Sequence, residues 1–290
     1  MCCICGKPVF VSGSRYCLRC SRFASRLKRL PHKIAQELWD YVRKYGYVCY
    51  YTGMPLDMFN PRSPWYCVFD HWAPHDQSKI VLTSSLLNAM KSDLSEEEFW
   101  YYIRALANYR RMHIAVKKIK LTFWDRDYTM EDGVDLCQQD YGRVRNGICA
   151  FCGKKLGNFL KYCPRCANFV LRLQLEHSRL NRETVEDFRR YVRKDGFTCY
   201  FTKMPLDMTN TRSPWYCVFN HLNPNDPQRK FVITCALLNA LKAGLSEKDF
   251  WYYILQLADY KEKGKAIVKK KPVFWNRLYP VDDVPALRIH

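Results

Sequence analysis

What this 290-residue sequence lacks narrows its class before any motif is weighed. No apolar run approaches the roughly 18 residues that a membrane-spanning helix needs, so no membrane partner is expected. The start, MCCICGKPVF, has neither the basic n-region nor the apolar h-region of a secretory leader. The expectation is a soluble protein inside the cell, in cytoplasm or nucleoid, nucleus or organelle matrix, and not a secreted one. Acidic residues are scarce beside basic ones: 28 Asp and Glu stand against 47 Lys and Arg, a net charge of +19. Disorder is excluded as well, because 48% of the residues are hydrophobic and 15% aromatic. The length suffices for two ordinary domains with real cores.

The basic excess is uneven. Residues 1–140 carry 20 Lys and Arg against 15 Asp and Glu, whereas residues 141–290 carry 27 against 13. Such an excess, interleaved with Tyr and Trp, points to a polyanionic partner: nucleic acid, with DNA first and RNA second. Candidate phosphate contacts are Arg22, Arg26, Lys28, Arg29, Arg172, Arg179, Arg189, Arg190, Arg193 and Lys194, with Lys117, Lys118, Lys120 and Lys269 to Lys271. Trp100, Tyr101, Trp251 and Tyr252 can stack on bases, but at helical spacing they are read as core.

The chain repeats itself. CxxCGK at Cys2 recurs at Cys149, and YCxxC at Tyr16 recurs at Tyr162. MPLDM at Met54 returns at Met204, SPWYCVF at 63–69 returns unchanged at 213–219, and FWYYI at Phe99 returns at Phe250. Order and spacing persist from end to end, which marks a tandem duplication. Each copy reads as a cysteine module, basic amphipathic helices, a strand–loop–strand–helix unit, a further helix and a basic-aromatic tail. Pro31 divides the first helical segment, Gly46 and Gly196 stop it, and Ser95 to Glu98 has capping-box spacing, with Ser246 to Asp249 a weaker version. The divisions are 1–21 and 148–167 for the cysteine modules, 22–128 and 168–279 for the helices with their core domains, 129–147 for a linker and 280–290 for a tail.

Eight of the 15 cysteines form paired knuckles: Cys2, Cys5, Cys17 and Cys20, then Cys149, Cys152, Cys163 and Cys166. Two residues between cysteines let both thiolates of a knuckle reach one ion, and two knuckles complete a tetrahedral S4 site with bonds of about 2.3 Å. In a chain without an export signal this argues for metal rather than disulfides. Zn²⁺ fits the soft thiolates, iron can share the geometry, and the closed shell makes both sites structural. Cys3 competes with Cys2, but Ala150 at the matching place of copy two makes Cys2 the ligand. Cys49, Cys67, Cys137, Cys199, Cys217 and Cys235 are read as small buried hydrophobes.

The chemistry concentrates in YCVFDHWAPHDQSKIVLTSSLLNAMKSD, residues 66–93. Asp70 and His71 end one β-like run, a loop holds Pro74, a second run covers Ile80 to Thr83, and Asn88 and Lys91 follow at helical spacing. Phosphodiester hydrolysis needs a deprotonated water, a counter-charge for the phosphate and help for the leaving oxygen. The Asp70 carboxylate and the Asn88 amide oxygen are hard ligands suited to Mg²⁺ or Mn²⁺. His71 points to the opposite face from Asp70, where it can hold the attacking water, and Lys91 can stabilise phosphate charge.

This segment resembles the ββα-metal core of HNH (His-Me finger) endonucleases, especially the HNH domains of RNA-guided CRISPR nucleases, with their D-H-x-x-P, V-L-T and N-x-x-K-S-D elements. The resemblance covers roughly residues 49–92 and 199–243. It implies that His71 is the general base and that the chain is a metal-dependent DNA endonuclease, of a kind often found as homing or mobile-element nucleases. The whole is then an α+β protein: two copies of zinc ribbon, helices and HNH core, fused as a pseudo-two-fold single-chain dimer that works as a monomer. The Asn that orients the base in such enzymes is replaced by Lys79, and by Arg229 or Lys230 in copy two. His75 lies in the loop and is read as solvated. Copy two keeps His221, Asn239 and Lys242 but has Asn220 in place of Asp70, so its Asn220 and Asn239 form a weaker magnesium site. Copy one is expected to cleave and copy two mainly to bind. The rival expectation is a nucleic-acid-binding or ribonucleoprotein subunit that kept a degenerate fold and lost the chemistry.

Overall fold

A computed structural model of the chain describes residues 1–2, 8–9, 15–74, 76, 78–127, 147–156, 161–175, 182–224, 230–273, 275 and 277. Cys3, Cys5, His75, Cys137, Arg179, Arg229, most of the expected linker and the expected tail lie outside these residues. Among the described residues the fold is mixed α+β, with eight helices and two two-stranded antiparallel sheets. No described helix is long and apolar enough to cross a membrane.

Both copies follow one order. The first runs through α1 (Leu18–Leu27), α2 (His32–Tyr45), β1 (Cys67–His71), β2 (Ile80–Ser84), α3 (Ser85–Lys91) and α4 (Glu96–Met112). The second runs through α5 (Pro164–Leu175), α6 (Arg182–Asp195), β3 (Cys217–His221), β4 (Phe231–Cys235), α7 (Ala236–Lys242) and α8 (Glu247–Lys263). Local chemistry explains the boundaries. Pro31, with no N–H to donate and φ of −53°, precedes α2 and parts it from α1. Gly46 ends α2 at φ 79°, a left-handed setting that costs glycine little. At α4 the capping box is complete, with Ser95 Oγ accepting from the Glu98 N–H and the Glu98 side chain accepting from the Ser95 N–H. At α8 Ser246 accepts from the Asp249 N–H.

The sheets match in register. Asp70 pairs with Val81 and His71 with Ile80; Asn220 pairs with Val232 and His221 with Phe231. Successive strand side chains alternate in direction, so Asp70 and Asn220 turn inward at 8% and 7% exposure while His71 and His221 stay half-buried.

The chain divides into two compact units that cut across the copies. Unit 1 comprises 1–114, 118–123 and 240–290; unit 2 comprises 115–117 and 124–239. In unit 1, Phe23 of α1 meets Trp39, Tyr47 and Phe69 at ring distances of 5.0, 5.2 and 5.9 Å. Unit 1 also contains α8, packed along α4 with Arg111 paired to Asp259 and Glu262. In unit 2, Phe169 of α5 takes the place of Phe23 and packs on Phe151, Phe188 and Phe219. Burying such a ring contributes about 1.5–3 kcal/mol.

Two of the expected phosphate contacts belong to this packing instead. The Arg26 guanidinium is buried, donates to the Cys67 carbonyl at 2.8 Å and lies 4.5 Å from the Phe69 ring centre. Arg172 repeats it, donating to the Cys217 carbonyl at 2.7 Å and lying over Phe219 at 5.0 Å. Arg193 is likewise engaged, donating to the carbonyls of Phe151 and Ala150. Helical spacing marks a cation as basic but not as free, and an Arg stem at the inner edge of an amphipathic face snorkels to the nearest strand carbonyl. Trp100 and Trp251 are buried at 3% and 5% exposure, as their spacing predicts, while Tyr101 and Tyr252 are half-buried. Cys49, Cys67, Cys199, Cys217 and Cys235 are buried.

Candidate active site and metal centres

The cysteine knuckles converge. In copy two the Sγ atoms of Cys149, Cys152, Cys163 and Cys166 all lie within 4.8 Å of one another, and Cys152 to Cys163 spans 3.9 Å. A tetrahedron with bonds of about 2.3 Å has edges of about 3.8 Å, so the four sulfurs need at most a modest contraction to hold zinc. Burial alone would raise the Cys149 thiol, but the N–H groups of Cys152, Cys163 and Phe151 bring it down to about 7. Burial and the neighbouring thiols push Cys166 well above the usual thiol range. Four thiolates this close repel one another unless a cation lies between them, and a dication of soft preference is the natural occupant. In copy one, Cys2, Cys17 and Cys20 gather in the same way. These two clusters can hold a metal such as zinc.

The second site is built by β1, β2 and α3 of unit 1. The Asp70 carboxylate accepts from the Tyr51 hydroxyl at 3.0 Å and pairs with the Lys91 ammonium at 3.3 Å. Lys91, at 1% exposure, also donates to the His71 carbonyl at 3.0 Å. Its aliphatic stem follows the buried face of α3 and its head meets the inward face of β1. Burial raises the Asp70 carboxyl above its ordinary value, with the charge and hydrogen bonds of Lys91 and Tyr51 opposing the shift. Burial and the Asp70 charge push the Tyr51 phenol far up, so it stays a donor. Lys91 therefore stands inside the site as the counter-ion of Asp70, rather than out at the surface where a phosphate would arrive.

His71 faces the other way. Its Nδ1 lies 3.1 Å from the Asp76 carbonyl. A carbonyl only accepts, so Nδ1 carries the hydrogen and the neutral ring keeps its lone pair on Nε2. The loop that supplies this carbonyl is tied at both ends. Asp76 Oδ1 accepts from the Ser78 N–H and hydroxyl at 2.8 and 2.6 Å, and the Asp76 N–H donates to the Ala73 carbonyl. The orientation of the ring is thus set by a backbone carbonyl. The Lys79 ammonium lies 4.3 Å from the Trp72 ring centre. Asn88 is half-buried on α3, one turn before Lys91, and its amide has no hydrogen-bond partner among the described residues.

Copy two keeps the scaffold but has neither the carboxylate nor the phenol. Phe201 stands where copy one has Tyr51, so no hydroxyl faces Asn220, and the Asn220 Nδ2 has no partner among the described residues. The His221 ring lies against Phe231, centres 4.0 Å apart and planes at 40°. Asn239 is half-buried on α7. Lys242 is buried at 1% exposure, and burial lowers its ammonium to about 8 against a raising influence from Glu247.

Sequence reasoning passed over two residues here. Tyr51 left a signal, the change from CYYTG to CYFTK that accompanies Asp70 to Asn220. Asp76 left a fainter one, the Asp-x-Ser spacing of an Asx-turn. Comparison with known protein families, curated proteins and solved structures finds no match.

Proposed function

We propose that the chain is a metal-dependent endonuclease of HNH type, with copy one as the cleaving site and copy two as a binding site. The observation that carries this reading is His71. It ends a strand of a β–β–α unit, is half-buried, and is held by Nδ1–H bonding to the Asp76 carbonyl, which keeps the lone pair on Nε2. In the reaction Nε2 of His71 takes the proton of the attacking water, and the Asp76 carbonyl steadies the imidazolium that forms. Asp70 and Asn88 are the hard oxygen donors for Mg²⁺ or Mn²⁺, which when bound supplies counter-charge to the phosphate. For Asp70 to hold the ion, its pairing with the Lys91 ammonium would have to open. The substrate is DNA first and RNA second, and a homing or mobile-element role follows from the resemblance alone. The fused tandem suits an asymmetric target.

A second reading rests on the Asp70–Lys91 pair itself. An ammonium 3.3 Å from the carboxylate occupies the place a cation would take, as expected of a nucleic-acid-binding or ribonucleoprotein subunit that kept the fold and lost the chemistry. Nicking of supercoiled plasmid with Mg²⁺ or Mn²⁺ decides between the two. The nuclease reading expects nicking by wild type and its loss in His71→Ala. Tight binding with no cleavage of DNA or RNA by wild type would select the second reading.

A further inference from the structure

Unit 2 contains a cavity of about 510 Å³ between the last turns of α6 and β4. This lies within the roughly 300–1,000 Å³ of small-molecule sites. Tyr200 and Phe231 supply aromatic walls, and Arg190, Lys194, Lys203 and Lys230 form the rim. Arg190 is paired with Asp187, and Lys203 with Asp195 at 3.0 Å. Lys194 and Lys230 are exposed and have no acidic partner among the described residues, which leaves an uncompensated positive charge at the mouth. Phe231 is braced from behind by the His221 ring.

The equivalent surface of copy one is built differently. Counting from the shared glycines, Gly46 and Gly196, Arg190 replaces Asp40 and Lys203 replaces Gly53, and in the strand register Phe231 replaces Ile80. These three changes replace an acid with a cation, add a cation and add a ring, whereas Asp195 replaces Tyr45, and Lys194, Lys230 and Tyr200 match Lys44, Lys79 and Tyr50. Lys203 is the most telling. It holds φ 55° at the turn where Gly53 holds φ 64°, a left-handed conformation that side-chain-bearing residues avoid. Such strain persists where the side chain has a use. In unit 1 the corresponding turn is also exposed and keeps glycine, with the Tyr260 hydroxyl 3.9 Å from where a Gly53 Cβ would stand.

We propose that this cavity binds one nucleotide unit of a nucleic-acid strand, its base between Tyr200 and Phe231 and its phosphates on Lys194, Lys203 and Lys230. A flat apolar ring beside an anion is what aromatic walls with a cationic rim recognise, and base–aromatic stacking tolerates any sequence. The assignment rests on the nucleic-acid reading above and locates the grip of copy two.

The test uses the full chain without added divalent cation and reads fluorescence anisotropy of a labelled oligothymidylate, with dTMP as competitor. Phe231→Ile and Lys203→Gly each install the residue of copy one, so the fold is expected to tolerate them, and circular dichroism checks that it does. Each should weaken oligonucleotide binding about tenfold, the lysine change also flattening the salt dependence. A 5-bromodeoxyuridine oligonucleotide should cross-link to the peptide holding Tyr200 or to that holding Phe231. Wild-type affinity in both folded variants, cross-links elsewhere, or binding of dTMP without binding of the strand would overturn the site. Unchanged binding in these variants, with nicking still abolished by His71→Ala, would sink the cavity and spare the nuclease. Weakened binding in a protein that never nicks would do the reverse.

Discussion

Two sites on matching strand–strand–helix scaffolds sit in this chain, and they differ by a carboxylate and a hydroxyl. In copy one, Asp70, Tyr51 and Lys91 form a closed buried network. In copy two, Asn220 and Phe201 replace the first two, and the lysine at the third position, Lys242, is held near 8 by burial. The lesson is that charge is inherited in groups. Once the carboxylate is gone, the phenol that donated to it has no acceptor, and the lysine must find other support or shed its proton.

The sharpest way to break the comparison is at the histidines. His71→Ala should lower metal-dependent plasmid nicking by about 10²- to 10⁴-fold, the usual worth of a general base, whereas His221→Ala should change it little. Equal losses in single-turnover assays would make the two copies catalytic equals and refute the division of labour. Next in size is Asp70→Asn, which installs the residue of copy two. With Lys91 still buried, urea unfolding should record a loss of about 3–5 kcal/mol, most of it recovered in Asp70→Asn with Lys91→Met.

The third prediction concerns pH. The Lys242 ammonium sits at about 8 in the folded chain and near 10.4 when unfolded. Between those values the unfolded chain binds the extra proton, so stability rises with pH across that window. Compared with wild type, Lys242→Met should remove about 3 kcal/mol of that rise, read by denaturation at pH 7.5 and at pH 10.5. The smallest effect belongs to Tyr51→Phe. It strips one donor from a buried carboxylate and should cost about 1–2 kcal/mol, while the reverse change, Phe201→Tyr, should gain little beside a neutral Asn220.

Much of the architecture was legible without coordinates. The duplication, the helix break at Pro31, the capping box at Ser95 and the cysteine quartet of copy two all come from short-range rules, in which spacing alone places groups on one turn or one ion. Alternation along β1 likewise predicts that Asp70 and His71 face opposite ways. The orientation of His71 was not legible. A backbone carbonyl leaves no mark in the residue code, so the contact of the Asp76 carbonyl with His71 is invisible there. Nor was the fate of the cations: Arg26 and Arg172 share the helical spacing of exposed residues, yet each lies against a strand carbonyl distant in sequence.

By itself, then, the amino-acid sequence determined the repeated elements, a cysteine quartet able to hold a metal and the identities of the candidate catalytic residues. These depend on periods of two, three or four residues and on donor chemistry. The tertiary structure alone decided which charges are spent inside the protein and which stay at its surface. Lys91 lies 3.3 Å from Asp70 and Lys203 is strained into the rim of a cavity, because folding brings together groups that the chain keeps far apart.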